Sequence, residues 1–451
     1  MTEILLASST VDITPPPGHP MGGYLARGEA PAVGTLDPLQ ATVFWLSTDD
    51  DPGVLWLSLD ALAVDTALAR TLSQAVGRAT GIPSDRVLVC ASHTHAAPLG
   101  WTGSLHPAMP GERDPTLIES LTAAVAESAA GLSDQRVPVD LSWCVANVKG
   151  LGSNRNRQDG LHDTTAGVVT ARPRDMESPA RTAALLVDYA CHPTVLGPRS
   201  QVWSADWPGS ARRSLAAALA AVDDPRTNES VPPVVAFLQG AAGDSSPRFV
   251  RRSRDYAEVA RLGALLGGAV LQAIQMDAVT VPPARPEIHK TVVRIPTRER
   301  PMLETSRQLL AEATEKLAGT EESPQERLRR TRLEGAFALR SLGSAELPEQ
   351  LDLPLTVVTL GDIAWVHLPV ELFASFGLRI KDASPFPVTR VIGYTDGYAG
   401  YVSDAGGYQE GCYEALMSLL DEGAGDMLVR ESVALLEEAR QGAATNATTT
   451  S

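Results

Sequence analysis

A histidine pair separated by one residue, Ser92-His93-Thr94-His95, ends the apolar run Arg86–Ala91. His-x-His is a recurrent way to bring two imidazole nitrogens to one metal ion. At strand spacing both rings would point to the same face. The carboxyl end of a buried strand is where open α/β sheets place ligands. The loop that follows, Pro98-Leu-Gly-Trp-Thr-Gly103, suits a pocket wall. Two ordinary hydrogen-bonded histidines would leave the same pattern.

Four further segments could join that pair. Ala184-Leu-Leu-Val-Asp-Tyr-Ala-Cys-His192 is a second apolar run ending on histidine; alone His192 reads more readily as a capping residue, and the second such strand end is what favours a ligand. Val235-Ala-Phe-Leu-Gln-Gly-Ala-Ala-Gly-Asp-Ser-Ser246 is a strand followed by small residues, which let backbone approach a ligand or simply turn. Glu371 follows Ile363-Ala-Trp-Val-His-Leu-Pro-Val, placed as a ligand or as an acidic residue favoured at a helix N-terminus. Of eight tyrosines, five fall at 394, 398, 401, 408 and 413, interleaved with glycine. That clustering fits a phenolic site better than plain apolar core, though a tyrosine-lined turn would also produce it.

Competing chemistries leave no trace. There is no G-x-S-x-G elbow for a serine triad. There is no H-E-x-x-H, no P-loop and no G-x-G-x-x-G after a strand. The eightfold βα repeat that accompanies His-x-His in barrel amidohydrolases is also missing.

The elements that must position these residues are mostly short apolar strands. They are Ala41–Ser47, Val54–Asp60, Arg86–Ala91, Val139–Val148, Thr182–Ala190, Val234–Leu238, Leu355–Leu360, Ile363–Leu368 and Val388–Gly393. Near-continuous apolarity predicts strands covered on both faces. Helical periodicity marks Asp65–Thr80, Pro115–Gly131, Ser210–Val222 and Asp255–Met276. The pattern predicts a mixed α/β (α+β) protein, a layered sandwich of mixed sheets covered by helices. Residues 302–343 are charged, with Leu and Ala at helical spacing broken at Ser323-Pro324. They predict a helical hairpin, a solvated insertion remote from the chemistry. Residues 1–440 read as one catalytic domain, with an internal boundary in the Pro-rich stretch near 281–301, and 441–451 as a disordered tail.

The formal net charge of −16 argues against nucleic acid and anionic lipid as partners. The N-terminal residues lack the basic and apolar regions of a secretory signal, and no apolar stretch of ~18 residues predicts a membrane span. Cys90, Cys144, Cys191 and Cys412 are scattered and form no CxxC pair. They read as reduced and buried, and the expected location is cytoplasmic.

The order of motifs resembles the neutral/alkaline non-lysosomal ceramidase family. The resemblance rests on Val11-Asp-Ile-Thr-Pro15 with Met21-Gly-Gly-Tyr24, on Ser92-His-Thr-His-Ala-Ala-Pro98, and on Asn154-Arg-Asn-Arg157. It continues through Gly243-Asp-Ser-Ser-Pro247 and Tyr398-Ala-Gly-Tyr401 with Tyr413-Glu414. The matches run in the family's order from about residue 10 to 415. The resemblance implies one zinc ion held by His93, His192, Glu371 and Tyr401. It implies that His95 moves a proton, that Arg157 and Tyr413 contact the amide and its developing oxyanion, and that Ser246 positions substrate. Zinc there would acidify its water for attack on an amide carbonyl.

The departures lie in the pocket wall. Gln158-Asp159 replaces the family's Ser-Pro, Ala96-Ala97 its Ser-Gly, and Arg248 the usual Asn. The family's ceramidases also carry a further C-terminal domain. A small soluble N-acyl compound is therefore the expected substrate rather than ceramide. The same site could run amide formation, cyclisation or acyl transfer. A metallohydrolase of esters or phosphates and an inactive binding protein are the remaining alternatives.

Overall fold

The structure, a computed structural model, describes residues 3–174, 182–223, 231–299, 324–343 and 346–449. It is a mixed α+β fold of layered sheets and helices. The largest sheet has nine strands. Its order is Val234–Gln239, Ala184–Tyr189, Thr165–Pro173, Val137–Asn147, Leu5–Asp12, Gln40–Ser47, Val54–Leu59 and Val87–Ala91, with Val279–Thr280 added beside Val137–Asn147. Only Leu5↔Pro138 and Leu6↔Val137 join its two halves, so the sheet folds over at that junction. Phe44, Trp56 and Leu88 of one half then share a core with Leu186, Ala236 and Leu238 of the other. Across it the Ser58 hydroxyl donates to the Phe237 carbonyl at 2.5 Å.

Strand alternation explains why these runs are apolar throughout. In Val87–Ala91, residues 87, 89 and 91 face the helices Thr66–Thr80 and Pro115–Ala129, while 88 and 90 face the inner core. In Val234–Gln239, Val235 and Phe237 face the helices Asp206–Asp223 and Tyr256–Met276, while Ala236 and Leu238 turn inward. The result is helix, sheet, sheet, helix. Asp65, Asp114 and Asp255 each accept N–H bonds at the start of their helices, which fixes where those helices begin. Tyr256–Met276 is long and apolar enough by length and composition to cross a bilayer. Here its Leu262, Leu266 and Val270 are buried in the same core as Leu215 and Leu219.

Past Thr280 the chain enters a second system. Glu287–Pro296, Gln350–Leu360, Ile363–His367 and Val388–Ile392 form a four-stranded sheet. Its Val358, Leu360 and Trp365 close one end of the inner core. Its Leu353, Leu355 and Val357 pack under helices Ala374–Ala383 and Ala424–Thr449. The first arm of the expected hairpin lies outside the described residues, and its second arm is the helix Pro324–Gly343. That helix packs on Tyr413–Met417, with Gly335 against the Tyr413 backbone. The closing helix runs on to Thr449, through most of the tail expected to be disordered. The four cysteines are buried and unpaired with one another.

Candidate metal centre and substrate pocket

Three strand ends meet below the site, and one side chain ties them. Gln239 accepts from the Cys191 N–H at 3.1 Å and donates to the carbonyls of Ser92 and Cys191 at 3.1 and 2.9 Å. His93 and His192 each sit just beyond the tied residues. Strand spacing does not aim the His-x-His pair. The strand stops at Ala91, and His93 adopts a left-handed backbone with φ 66°. Such a residue costs about 1–3 kcal/mol and persists only where its surroundings enforce it. The turn still brings His95 Nε2 to 3.2 Å from His93 Nε2.

Glu371 and Tyr401 arrive differently. Glu371–Leu372 pairs in parallel with Tyr401–Val402, Glu371 opposite Tyr401. This two-residue ladder sets carboxylate and phenol side by side. Glu371 Oε2 lies 3.2 Å from His93 Nε2 and 3.1 Å from His192 Nε2. The Tyr401 ring runs parallel to the His192 ring, with centroids 6.4 Å apart. Burial pushes the Tyr401 phenol well above its ordinary range, and the charge of Glu371 adds to the push. A nearby dication would have to reverse both for phenolate ligation.

The hydrogen bonds behind the rings fix what the rings present. His93 Nδ1 is 2.6 Å from the Leu62 carbonyl, and His192 Nδ1 is 2.7 Å from the Ala242 carbonyl. A carbonyl only accepts, so each Nδ1 carries the proton. Burial foremost, then Arg155, lowers His192 to about 4, so it is neutral and its Nε2 bears a lone pair. That Nε2 is buried and, with only the acceptor oxygen of Glu371 facing it, has no hydrogen-bond donor among the described residues. Two imidazole Nε2 atoms and a carboxylate oxygen thus converge at 3.1–3.2 Å, an arrangement that calls for a cation or a proton among them. The far oxygen of Glu371, Oε1, accepts from the Tyr398 hydroxyl, and Oε2 also accepts from the Tyr394 hydroxyl at 3.4 Å. Backing of imidazoles by carbonyls and of carboxylates by donors is what metal ligands characteristically have. His93, His95 and His192 offer nitrogens within 4.8 Å of one another. The donor set fits a divalent metal ion.

Above this cluster opens a pocket of about 730 Å³, its mouth included, lined by His95, Arg155, Ser246, Tyr401 and Tyr413 among others. His95 is 8 % exposed against 1 % or less for His93, His192 and Glu371, so it alone of the four meets the pocket. Burial, with His93 and His192 alongside, holds His95 well below the ordinary imidazole range. Gly23 backs the ring: at φ 101° its backbone comes so close that a Cβ would lie 2.6 Å from the His95 ring. The Tyr24 ring packs against His95 at 4.8 Å, and its hydroxyl donates to the Leu196 carbonyl at 2.6 Å. The Met21-Gly-Gly-Tyr24 segment therefore serves the site directly. The larger surface hollow between Thr66–Thr80 and Pro115–Ala129 has no histidine among its described lining residues.

The expected site residues divide. His93, His95, His192, Glu371, Tyr401, Ser246 and Tyr413 gather at the cluster or its pocket. Ser246 is buried there, its hydroxyl accepting from the Arg248 N–H at 3.2 Å. Arg157 does not gather. Its guanidinium is half-exposed and pairs with Glu410 at 2.8 Å, outside the pocket lining. Arg155 stands in its place, buried, paired with Glu414 and 5.4 Å above the Tyr401 ring. Asn-Arg occurs twice in Asn154-Arg-Asn-Arg157, and that repetition was the signal that the other arginine could carry the role. Tyr394 and Tyr398 were legible only as members of the tyrosine cluster. Tyr408 turns away, donating to the Leu420 carbonyl at 3.3 Å. The helix Pro324–Gly343 is not remote from the chemistry: Arg330, Thr331 and Glu334 line the pocket.

No protein-family model matches the chain, and comparison with curated protein sequences gives no match. Solved structures do match. Neutral ceramidase from Pseudomonas aeruginosa superposes with a TM-score of 0.76 at 16% identity, covering 98% of this chain and 75% of that one. A ceramidase complexed with C2 gives 0.73 at 16% identity, covering 98% and 76%. The chain has the fold of the neutral ceramidases.

Proposed function

We propose that the protein is a zinc-dependent amidohydrolase that cleaves the linear amide of a small N-acyl compound. The observation that carries this reading is the convergence of two tautomer-locked imidazoles and a carboxylate at the floor of a pocket. His93, His192, Glu371 and Tyr401 would hold the metal, a mixed N and O set that suits zinc. A zinc ion there supplies Lewis acidity, polarising the amide carbonyl and acidifying a water.

The chain's own residues do the rest. Water adds to the carbonyl carbon, the C–N bond breaks, and the water proton leaves on the amine. His95 reaches both the cluster and the pocket, and carries that proton from water to nitrogen. Arg155 is held by Glu414 with its charge toward the pocket, and with Tyr413 it faces the oxygen on which negative charge develops. Ser246 shapes the wall beside them. The fold likeness to ceramidases supports amide chemistry without naming the substrate.

The test is metal content and substrate class together. Elemental analysis should find about one zinc per chain, lost in His93→Ala and reduced in Tyr401→Phe. An N-acyl amide should be cut in preference to a matched ester and a phosphate ester. Wild type that takes up no zinc when supplied with it would defeat the mechanism. Amide product from an amine and an activated acid, without hydrolysis, would turn the reading to synthesis.

A further inference from the structure

The pocket above the cluster is rich in arginine. The chain carries a net charge of −16, yet among the described residues the pocket lining includes Arg155, Arg248, Arg251, Arg254 and Arg330 with one carboxyl, Glu334. Arg155 belongs to the reaction site and is matched by Glu414. The other four come from two neighbouring pieces of chain, the turn after Ser246 and the helix Pro324–Gly343.

Two of them show where their guanidinium groups are spent. Arg248 Nη1 donates to the Arg155 carbonyl at 2.8 Å, and Arg251 Nη1 to the Thr194 carbonyl at 3.2 Å. Arg248 also faces the Glu414 and Glu334 carboxyls, whereas the Thr194 carbonyl orients the Arg251 guanidinium without cancelling its charge. Arg251 Nη2 is buried and has no hydrogen-bond partner among the described residues. A buried donor left unmade costs about 1–3 kcal/mol, and more when charged. An oxyanion of the substrate would satisfy it. Burial pushes Glu334 up to about 7, with Arg330 and Arg248 pulling the other way, so near neutral pH it offsets only part of the positive charge. A cleft lined by one sign of charge concentrates ligands of the other sign. Arginine's planar fork matches carboxylate and phosphate oxygens in pairs.

Resting on the amidase reading, we infer that the substrate is an N-acyl compound bearing an anionic group, carboxylate or phosphate, which Arg251, assisted by Arg248, Arg254 and Arg330, binds at the pocket wall while the amide reaches the histidine cluster. The anion selects and orients the substrate. It takes no part in bond breaking.

The experiment compares matched pairs on the zinc-loaded full chain: N-octanoylglycine against N-octanoylglycinamide, and N-octanoylethanolamine phosphate against N-octanoylethanolamine. The anionic member of at least one pair should have kcat/KM about tenfold or more above its neutral partner. The better pair tells carboxylate from phosphate. Arg251→Gln should reduce that ratio about tenfold, chiefly through KM, and Arg251→Lys should restore part of it. Arg330→Gln, on the exposed side of its helix, repeats the test should Arg251→Gln fail to fold. A ratio near one in both pairs, or a ratio that neither substitution moves, would overturn the inference. If no pair is hydrolysed, the amidase reading fails by itself, and calorimetry on the same compounds decides the anion site. Binding of anionic members only, weakened by Arg251→Gln, upholds it. Equal binding of both members, or binding of neither, ends it.

Discussion

The floor of the pocket and its wall are built on opposite principles. The floor is over-determined. His93, His192 and Glu371 come from three separate segments, and each is locked from behind by a carbonyl or a phenol. The arginines of the wall other than Arg155 come from one turn and one helix, and Arg248 and Arg251 each donate to a backbone carbonyl. Geometry that must hold a metal tolerates little slack, so the fold spends its most buried positions on it. Charge recognition falls off gently with distance and can be carried by longer, half-exposed side chains. The floor should therefore fail abruptly on substitution, and the wall by degrees.

The sharpest way to break this comparison is Glu371→Gln, which keeps the side-chain volume and removes the carboxylate from between the two imidazoles. Bound metal should fall by more than the ~10–100-fold that loss of a backing partner costs, and hydrolysis should become undetectable. Elemental analysis on protein shown by circular dichroism to be folded checks it. Full metal occupancy would mean that His93, His95 and His192 suffice, and that the carboxylate has another task.

Next in size is the contrast between two arginines two residues apart. Arg155→Met should lower kcat by about 10²–10³, the range for losing one oxyanion donor, while Arg157→Met should change it little, since its partner Glu410 is at the surface. Removing Arg155 strips Glu414 of its buried cation, so the double variant with Glu414→Gln separates catalytic loss from misfolding. Arg157→Met as the more damaging change would reverse the placement.

That contrast also shows how far the sequence could be read. The strand and helix assignments hold for Val54–Leu59, Val87–Ala91, Ala184–Tyr189 and the helices at Thr66, Pro115 and Tyr256, because their patterns are long and their caps explicit. Leu5–Asp12 gave no strand signal, since its outer half is Ser-Ser-Thr and its pairing with Gln40–Ser47 comes from the partner strand. Glu287–Pro296 is largely polar on its exposed face and was read only as part of the boundary near 281–301. At the site, residue types in order pointed to the histidines, Glu371 and Tyr401. Which of two Asn-Arg dipeptides turns inward depends on the register Ser245↔Asn154 and Ser246↔Ser153, and composition does not encode that register. The arginine wall escaped for the same reason: Arg248, Arg251 and Arg254 meet Arg330 only through packing between distant segments.

Gly23→Ala tests where floor gives way to wall. The new Cβ would stand 2.6–2.8 Å from ring and Cβ atoms of His95, at a backbone φ of 101° that L side chains rarely adopt. Either His95 turns away from His93 or the Met21–Tyr24 loop shifts. In both cases proton transfer should suffer by about 10–100-fold, the usual worth of a positioned acid–base group, while metal content stays near wild type. Loss of metal along with activity would place His95 among the ligands, which the 4.8 Å grouping of the three histidines allows.

The smallest expected effect is that of Tyr24→Phe, and it distinguishes two reasons for that ring to be there. The phenol donates to the Leu196 carbonyl at 2.6 Å, in the loop that follows His192, and the ring lies 4.8 Å from His95. If the hydroxyl only braces the loop, its loss should cost about 0.5–1.5 kcal/mol of stability, seen as a lower urea midpoint. Turnover should then stay within about twofold, because the ring still packs on His95 and the loop is also held by Asp206, which accepts from the Leu196 N–H at 3.0 Å. A fall in kcat with unchanged stability would instead put the Tyr24 hydroxyl in touch with the reacting substrate, and would extend the catalytic floor outward to the residue now assigned to its edge.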